Sequence, residues 1–195
     1  YRLTMGDAET LFAGILAGVR VAHREGLVHR DLKPANVLLA RTADGFVPKV
    51  TDFGLAKVLE EAPGVAHTRS GIAMGTPSYM APEQIRDARS VDQRADIWSV
   101  GCILYELCTR KRAFPGDEAL AIYNAVVDGD YVPPGTLMPD MPERVEQAIL
   151  GCLQVDLAAR IPDCDTLLSV LAGSTAWTSR KRNEATTTDF VLPRS

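Results

Sequence analysis

His29-Arg30-Asp31-Leu32-Lys33-Pro34-Ala35-Asn36 is the stretch on which the reading of this chain turns. It is polar, and it lies between two segments of different periodicity. Upstream, Leu11, Ile15 and Val19 recur at four-residue spacing, with Phe12 and Leu16 beside them, so a helix is predicted over Asp7 to Glu25. Gly26 follows where a left-handed C-terminal cap is wanted. Downstream, Val37-Leu38-Leu39 reads as a short strand and Val47 to Thr51 as a second, with a turn at Asp44-Gly45, which together make a hairpin.

Working further outward, residues 52–82 show no sustained periodicity and hold four glycines and three prolines. A loop of that length inside a compact domain is usually functional. Its two ends carry the triplets Asp52-Phe53-Gly54 and Ala81-Pro82-Glu83, the first beginning 21 residues after Asp31. Ser90 to Thr109 is the strongest helix signal, with a capping box at Ser90-x-x-Gln93 and an apolar face of Ile97, Val100, Ile103, Leu104 and Leu107. Shorter helices are expected at Glu118–Val127, Glu143–Leu153 and Asp163–Leu171, separated by proline-rich turns such as Pro133-Pro134. From Gly173 onward Ser, Thr, Arg and Asn dominate, and residues 173–195 read as a flexible polar tail. The fold class is therefore mainly α with a small β-hairpin.

Composition narrows the function classes. A chain of 195 residues, 46% apolar and 24% charged, has the balance of one soluble globular domain. A net charge of −4 gives no excess positive field for nucleic acid or an anionic lipid surface. The four cysteines, at 102, 108, 152 and 164, form no C-x-x-C pair and read as reduced, buried thiols. The longest apolar stretch, Leu11 to Val19, is nine residues, too short to span a membrane. The G-x-x-x-G at Gly14 and Gly18 is accordingly read as close packing of a soluble helix.

The three motifs, in this order and spacing, match the catalytic loop, the metal-binding triplet and the loop-closing triplet of the protein-kinase signature set. The chain resembles the C-terminal, larger lobe of serine/threonine protein kinases of the bacterial eukaryotic-like type, with residues 1–172 as the lobe. The resemblance implies that Asp31 orients or accepts the proton of a substrate hydroxyl, while Lys33 neutralises charge on the transferred phosphoryl group. It implies ATP and Mg²⁺ as cofactors, with Asn36 and Asp52 as the hard oxygen ligands of the metal and Leu38 under the adenine. Lys33 and the segment Gly75-Thr76-Pro77 imply serine/threonine acceptors on protein substrates.

Further roles follow from the same resemblance. Arg30, before Asp31, implies activation by loop phosphorylation, with Thr68 and Ser70 as the acceptors and Lys57 as a second cation near the phosphate. Glu83 is expected to pair with Arg160, Asp96 to hold the catalytic-loop backbone, and His29 and Phe53 to belong to the packed column on the Asp96 helix. His23 and His67 have no partner spacing and read as an ordinary helix residue and an ordinary loop residue.

A complete kinase also has a glycine-rich loop and a strand lysine over the nucleotide. This sequence has no G-x-G-x-x-G, and none of its five lysines precedes Asp31. The expectation is thus a kinase lobe without its N-terminal partner, part of a longer cytoplasmic protein and poorly active alone. A second kinase molecule is admitted as a dimer partner. The alternative reading is a non-catalytic module that docks peptides or a partner kinase.

Overall fold

The computed structural model describes residues 3–43, 45–53, 77–87 and 91–177. Helix α1 spans Met5–Arg24 and is followed by a polar connection, a 3₁₀ turn at Pro34–Asn36, and the strands β1 (Val37–Thr42) and β2 (Gly45–Val50). A second 3₁₀ turn at Pro77–Tyr79 leads into α2 (Pro82–Arg86). Then come α3 (Arg94–Thr109), α4 (Ala119–Asp128), α5 (Pro134–Leu137), α6 (Glu143–Cys152) and α7 (Cys164–Leu171). Among the described residues the class is mainly helical with one two-stranded antiparallel sheet.

Helix α1 begins earlier than its apolar periodicity predicts because Thr4 and Asp7 close a capping box. The Asp7 N–H donates to Thr4 Oγ1 at 3.1 Å, and the Thr4 N–H donates to Asp7 Oδ2 at 2.8 Å. These bonds hold the Asp7 carboxyl below its ordinary value. At the other end Gly26 takes φ +73°, and the N–H groups of Gly26 and Leu27 return to the carbonyls of His23 and Ala22. This is a Schellman closure, which glycine enters without a Cβ penalty. It turns the chain sharply into the polar connection.

The hairpin pairs Val37 with Val50 and Thr42 with Gly45 at its two ends. It lies on α1 over the two small residues already noted. A Cβ on Gly14 would sit 2.5 Å from Pro48 Cγ, and one on Gly18 would sit 3.3 Å from Val50 Cγ2. The G-x-x-x-G is the seat of β2.

Helix α3 is the axis of the core. Ile97, Trp98, Val100 and Leu104 have no exposed surface, and Asp96 and Ser99 are buried beside them. The helix packs against α1, α6 and the Pro77–Tyr79 turn, while α7 packs against α6 and α1. Gln93 stands at the N-cap of this helix, with no side-chain bond of its own to the first turn. Ser90 lies outside the described residues, the Gln93 amide donates to the Pro162 carbonyl, and Asp92 Oδ1 accepts the Arg94 N–H at 2.8 Å. The helix therefore opens at Arg94, four residues later than predicted.

Two short helices escaped the sequence reading. Both α2 and α5 start on a proline and run five and four residues, too short for periodicity to register. Residues 173–177, read from sequence as the start of a polar tail, are structured. Residues 173–175 fold back onto α7 through N–H bonds to the Val170 and Ser169 carbonyls, and Trp177 packs against the core. Residues 178–195 lie outside the described residues.

Candidate active site

The polar connection after α1 is held from behind by one buried carboxylate. Asp96, in the first turn of α3, accepts the His29 N–H at Oδ2 and the Arg30 N–H at Oδ1, both at 2.8 Å. Arg30 adopts φ +67°, a left-handed conformation uncommon outside glycine. Two charge-assisted bonds to adjacent amides offset the cost of that geometry.

His29 is fully buried and ties the connection to the end of β2. Its Nδ1 accepts from the Asp31 N–H at 3.3 Å, so the proton sits on Nε2, which donates to the Thr51 carbonyl at 2.8 Å. The Phe53 ring lies against it, with centroids 4.8 Å apart. Asp31 is thereby presented with its own amide committed and its carboxylate half exposed. Lys33 Nζ lies 2.7 Å from Asp31 Oδ2. The Asn36 amide nitrogen donates to the Asp31 carbonyl at 2.8 Å and reaches Oδ2 at 3.3 Å.

The hairpin register brings the second carboxylate to this place. The Thr51 N–H and hydroxyl both bond the Asn36 carbonyl, at 2.9 and 3.2 Å, which fixes the residue before Asp52 against Asn36. Asp52 is exposed and adopts φ +61°, the second left-handed non-glycine residue of the site. Asn36 is buried with its nitrogen turned to Asp31, leaving Oδ1 without a donor among the described residues. No cluster of three or more His, Cys, Asp or Glu among the described residues could hold a metal. The Asn36 amide oxygen and the Asp52 carboxylate are the hard oxygen donors that the sequence reading assigns to a cation here. That donor set suits Mg²⁺, which keeps water or phosphate oxygens in its other positions.

The segment from Pro77 to Arg86 is fastened to the same scaffold. Ser99 Oγ donates to the Tyr79 carbonyl at 2.8 Å, and Tyr79 Oη donates to Glu106 Oε2 at 2.5 Å. Burial, reinforced by that carboxylate, pushes the Tyr79 phenol well above its ordinary value. Glu83 and Arg160 meet in a two-pronged pair, with Nη1 to Oε1 at 2.6 Å and Nη2 to Oε2 at 2.9 Å. Arg160 is buried, donates also to the Gln154 and Arg94 carbonyls, and lies 5.0 Å from the Trp98 ring centroid.

Of the other residues singled out from sequence, Leu38 is 57% exposed on β1, Pro77 opens the second 3₁₀ turn, and the Arg30 guanidinium has no ionic partner among the described residues. Gly54, Lys57, His67, Thr68, Ser70, Gly75 and Thr76 lie outside the described residues. Two residues were missed. His23, read as an ordinary helix residue, has a largely covered side chain and puts Nε2 2.8 Å from Asp96 Oδ2. Its Nδ1 faces the Cys164 thiol at 3.6 Å, a thiol that burial raises to about 12 and so keeps protonated. Gln84 bridges the Ala81 amide and the Arg30 carbonyl. His23 stands six residues before His29, which separates it by the whole Schellman turn, and no spacing rule links Gln84 to position 30.

The protein kinase domain family matches residues 1–170. The chain belongs to the protein kinase family. It is 37% identical to a probable serine/threonine-protein kinase PknB of Bifidobacterium longum over 72% of its length, and 38% identical to the serine/threonine-protein kinase PknL of Mycobacterium tuberculosis over 76%. It is also 40% identical to the tyrosine-protein kinase MasK of Myxococcus xanthus over 74%. The chain spans 20%, 36% and 21% of those relatives' lengths. No helix among the described residues of this kinase-family chain is long and apolar enough to cross a membrane.

Proposed function

We propose that the protein carrying this chain is a cytoplasmic serine/threonine protein kinase, moving the γ-phosphoryl group of ATP to a Ser or Thr hydroxyl of a protein substrate. The chain itself serves as the C-terminal lobe that supplies the catalytic loop. The observation that carries this reading is the convergence on Asp31. The Asp31 N–H is held by His29 and the preceding Arg30 N–H by Asp96, and the Asp31 carboxylate is flanked by Lys33 and Asn36, whose carbonyl takes Thr51, the residue before Asp52.

Phosphoryl transfer asks little covalent chemistry of the protein; it asks for position and charge. Asp31 receives the hydroxyl of the acceptor and takes its proton as the new O–P bond forms and the bond from the γ-phosphorus to the bridging oxygen breaks, releasing ADP. The short Lys33–Asp31 contact places a fixed positive charge at that spot, ready to balance the charge on the moving group. Asn36 and Asp52 hold Mg²⁺, which neutralises phosphate oxygens when bound. Leu38 gives its exposed apolar side chain to the adenine. Arg30 accepts a phosphate placed on Thr68 or Ser70, with Lys57 assisting, and Pro77 follows the substrate-receiving Gly75 and Thr76.

The test is phosphate incorporation by the natural gene product that contains this chain, with Mg-ATP and a generic protein substrate, beside Asp31→Asn. Transfer to Ser or Thr that disappears in Asp31→Asn is the expected result. Transfer to Tyr alone overturns the acceptor assignment. No transfer by a folded wild-type protein that still binds peptides favours a docking module instead.

A further inference from the structure

The Arg30–Asp31 peptide bond carries the proposed base, and its two polar groups are held by different parts of the chain. Its N–H donates to His29 Nδ1, within the connection itself. Its carbonyl oxygen, on Arg30, accepts from Gln84 Nε2 at 2.7 Å. Gln84 sits in α2, one residue past Ala81-Pro82-Glu83, and its Oε1 accepts the Ala81 N–H at 3.0 Å. One carboxamide therefore spans the end of the long loop and the peptide that bears Asp31. Glu83, next to it, is fixed to buried Arg160, so α2 is a rigid base for the contact.

We propose that Gln84 is a positioning residue which couples the order of the loop's closing segment to the orientation of Asp31. This rests on the kinase reading above. The chemistry requires a carboxamide: the acceptor end takes the Ala81 amide and the donor end takes the Arg30 carbonyl. Arg30 is left-handed, so its peptide has a nearby alternative orientation, and Gln84 together with Asp96 selects the observed one. A loop end that shifts carries Gln84 with it and releases the Asp31 peptide.

Two variants of the natural gene product test this. Gln84→Met keeps length and volume and removes both bonds. Gln84→Glu keeps the acceptor and sets a carboxylate against the Arg30 carbonyl, regaining a donor only when protonated. Among the described residues, the charged groups nearest position 84 in the chain or bonded to its neighbours are Arg30, Glu83 with its partner Arg160, Arg86 and Asp87. Both variants are expected to lose about tenfold in kcat at pH 8 with KM within about twofold, the equivalent of ~1.4 kcal/mol. The ratio of Gln84→Glu to wild type should rise as pH falls toward about 5, where a carboxylic acid can donate, while the Gln84→Met ratio stays flat. Amide exchange in residues 29–33 should quicken in Gln84→Met with its melting temperature little changed, a readout that does not require activity. Wild-type kcat in both variants, or unaltered exchange, overturns the inference while leaving the kinase reading standing. Absence of activity in the wild type overturns the kinase reading, and the exchange measurement then decides the contact alone.

Discussion

Asp96 Oδ1 accepts the backbone N–H of Arg30 at 2.8 Å, joining the first turn of α3 to a residue 66 positions earlier that stands in a left-handed conformation. The same carboxylate also takes the His29 N–H and the His23 imidazole. A fully buried carboxylate with three donors is a fixed reference point for the polar connection. Asp96→Asn keeps the shape but offers one acceptor oxygen, so at least one donor is left facing an NH₂ group. The expected cost is ~1.5–3 kcal/mol of stability, read from urea midpoints. Activity of the natural gene product should fall more than the stability loss accounts for, because Asp31 moves with Arg30. An unchanged midpoint would show that the three bonds contribute nothing net.

The Glu83–Arg160 pair joins α2 to the turn after α6, 77 positions apart. Arg160 is 1% exposed, so removing its partner strands a buried guanidinium. Glu83→Gln is expected to destabilise by ~3–5 kcal/mol. Removing both charges with Glu83→Gln and Arg160→Met together should cost less than the sum of the two single changes. Thermal melting of the four species measures that coupling, and strict additivity would mean that the two groups do not depend on each other.

Most of this architecture was legible because its signals are local. The apolar periodicity of α1, Gly26 at its end, the Asp44-Gly45 turn and the three motifs sit within short windows of sequence. What escaped depends on distance in the chain. His23 gains its meaning from Asp96 and Cys164, 73 and 141 positions away, and Gln84 from Arg30, 54 positions away. The start of α3 was misplaced for a related reason. Ser90-x-x-Gln93 is a sound local signal, but the helix has Gln93 at its N-cap, with that amide turned to the Pro162 carbonyl and the Arg94 N–H bonded to Asp92.

Asp92 supplies a pH dependence of definite sign. The Arg94 side chain, bonded to both its oxygens, lowers the Asp92 carboxyl below its ordinary value, aided by the Arg94 N–H. The carboxylate form is thus favoured in the folded chain, and its stabilisation is present above about pH 4 and lost as pH falls through the depressed folded value. Asp92 is half exposed, so solvent screening keeps the contribution under ~1 kcal/mol. Urea midpoints of wild type and Asp92→Asn should differ at pH 6, and the difference should shrink as pH falls below the ordinary carboxylate range. A difference that grows on acidification would contradict the assignment.

The packing of Trp177 offers a test of where the ordered chain ends. A Cβ built on Gly151 in α6 would lie 2.6 Å from Trp177 Cδ1 and 2.7 Å from Ile161 Cδ1, both inside any real contact. Gly151→Ala must therefore displace the indole, the isoleucine or both, and is expected to cost ~1–3 kcal/mol. Trp177→Ala alone removes a partly buried ring from the core and should destabilise as well. In the double variant the clash with the indole is gone and that with Ile161 remains. Its cost should fall short of the sum of the single costs by ~0.5 kcal/mol or more. Calorimetry of the four proteins gives that coupling directly. A coupling of zero would place Trp177 away from Gly151 in solution.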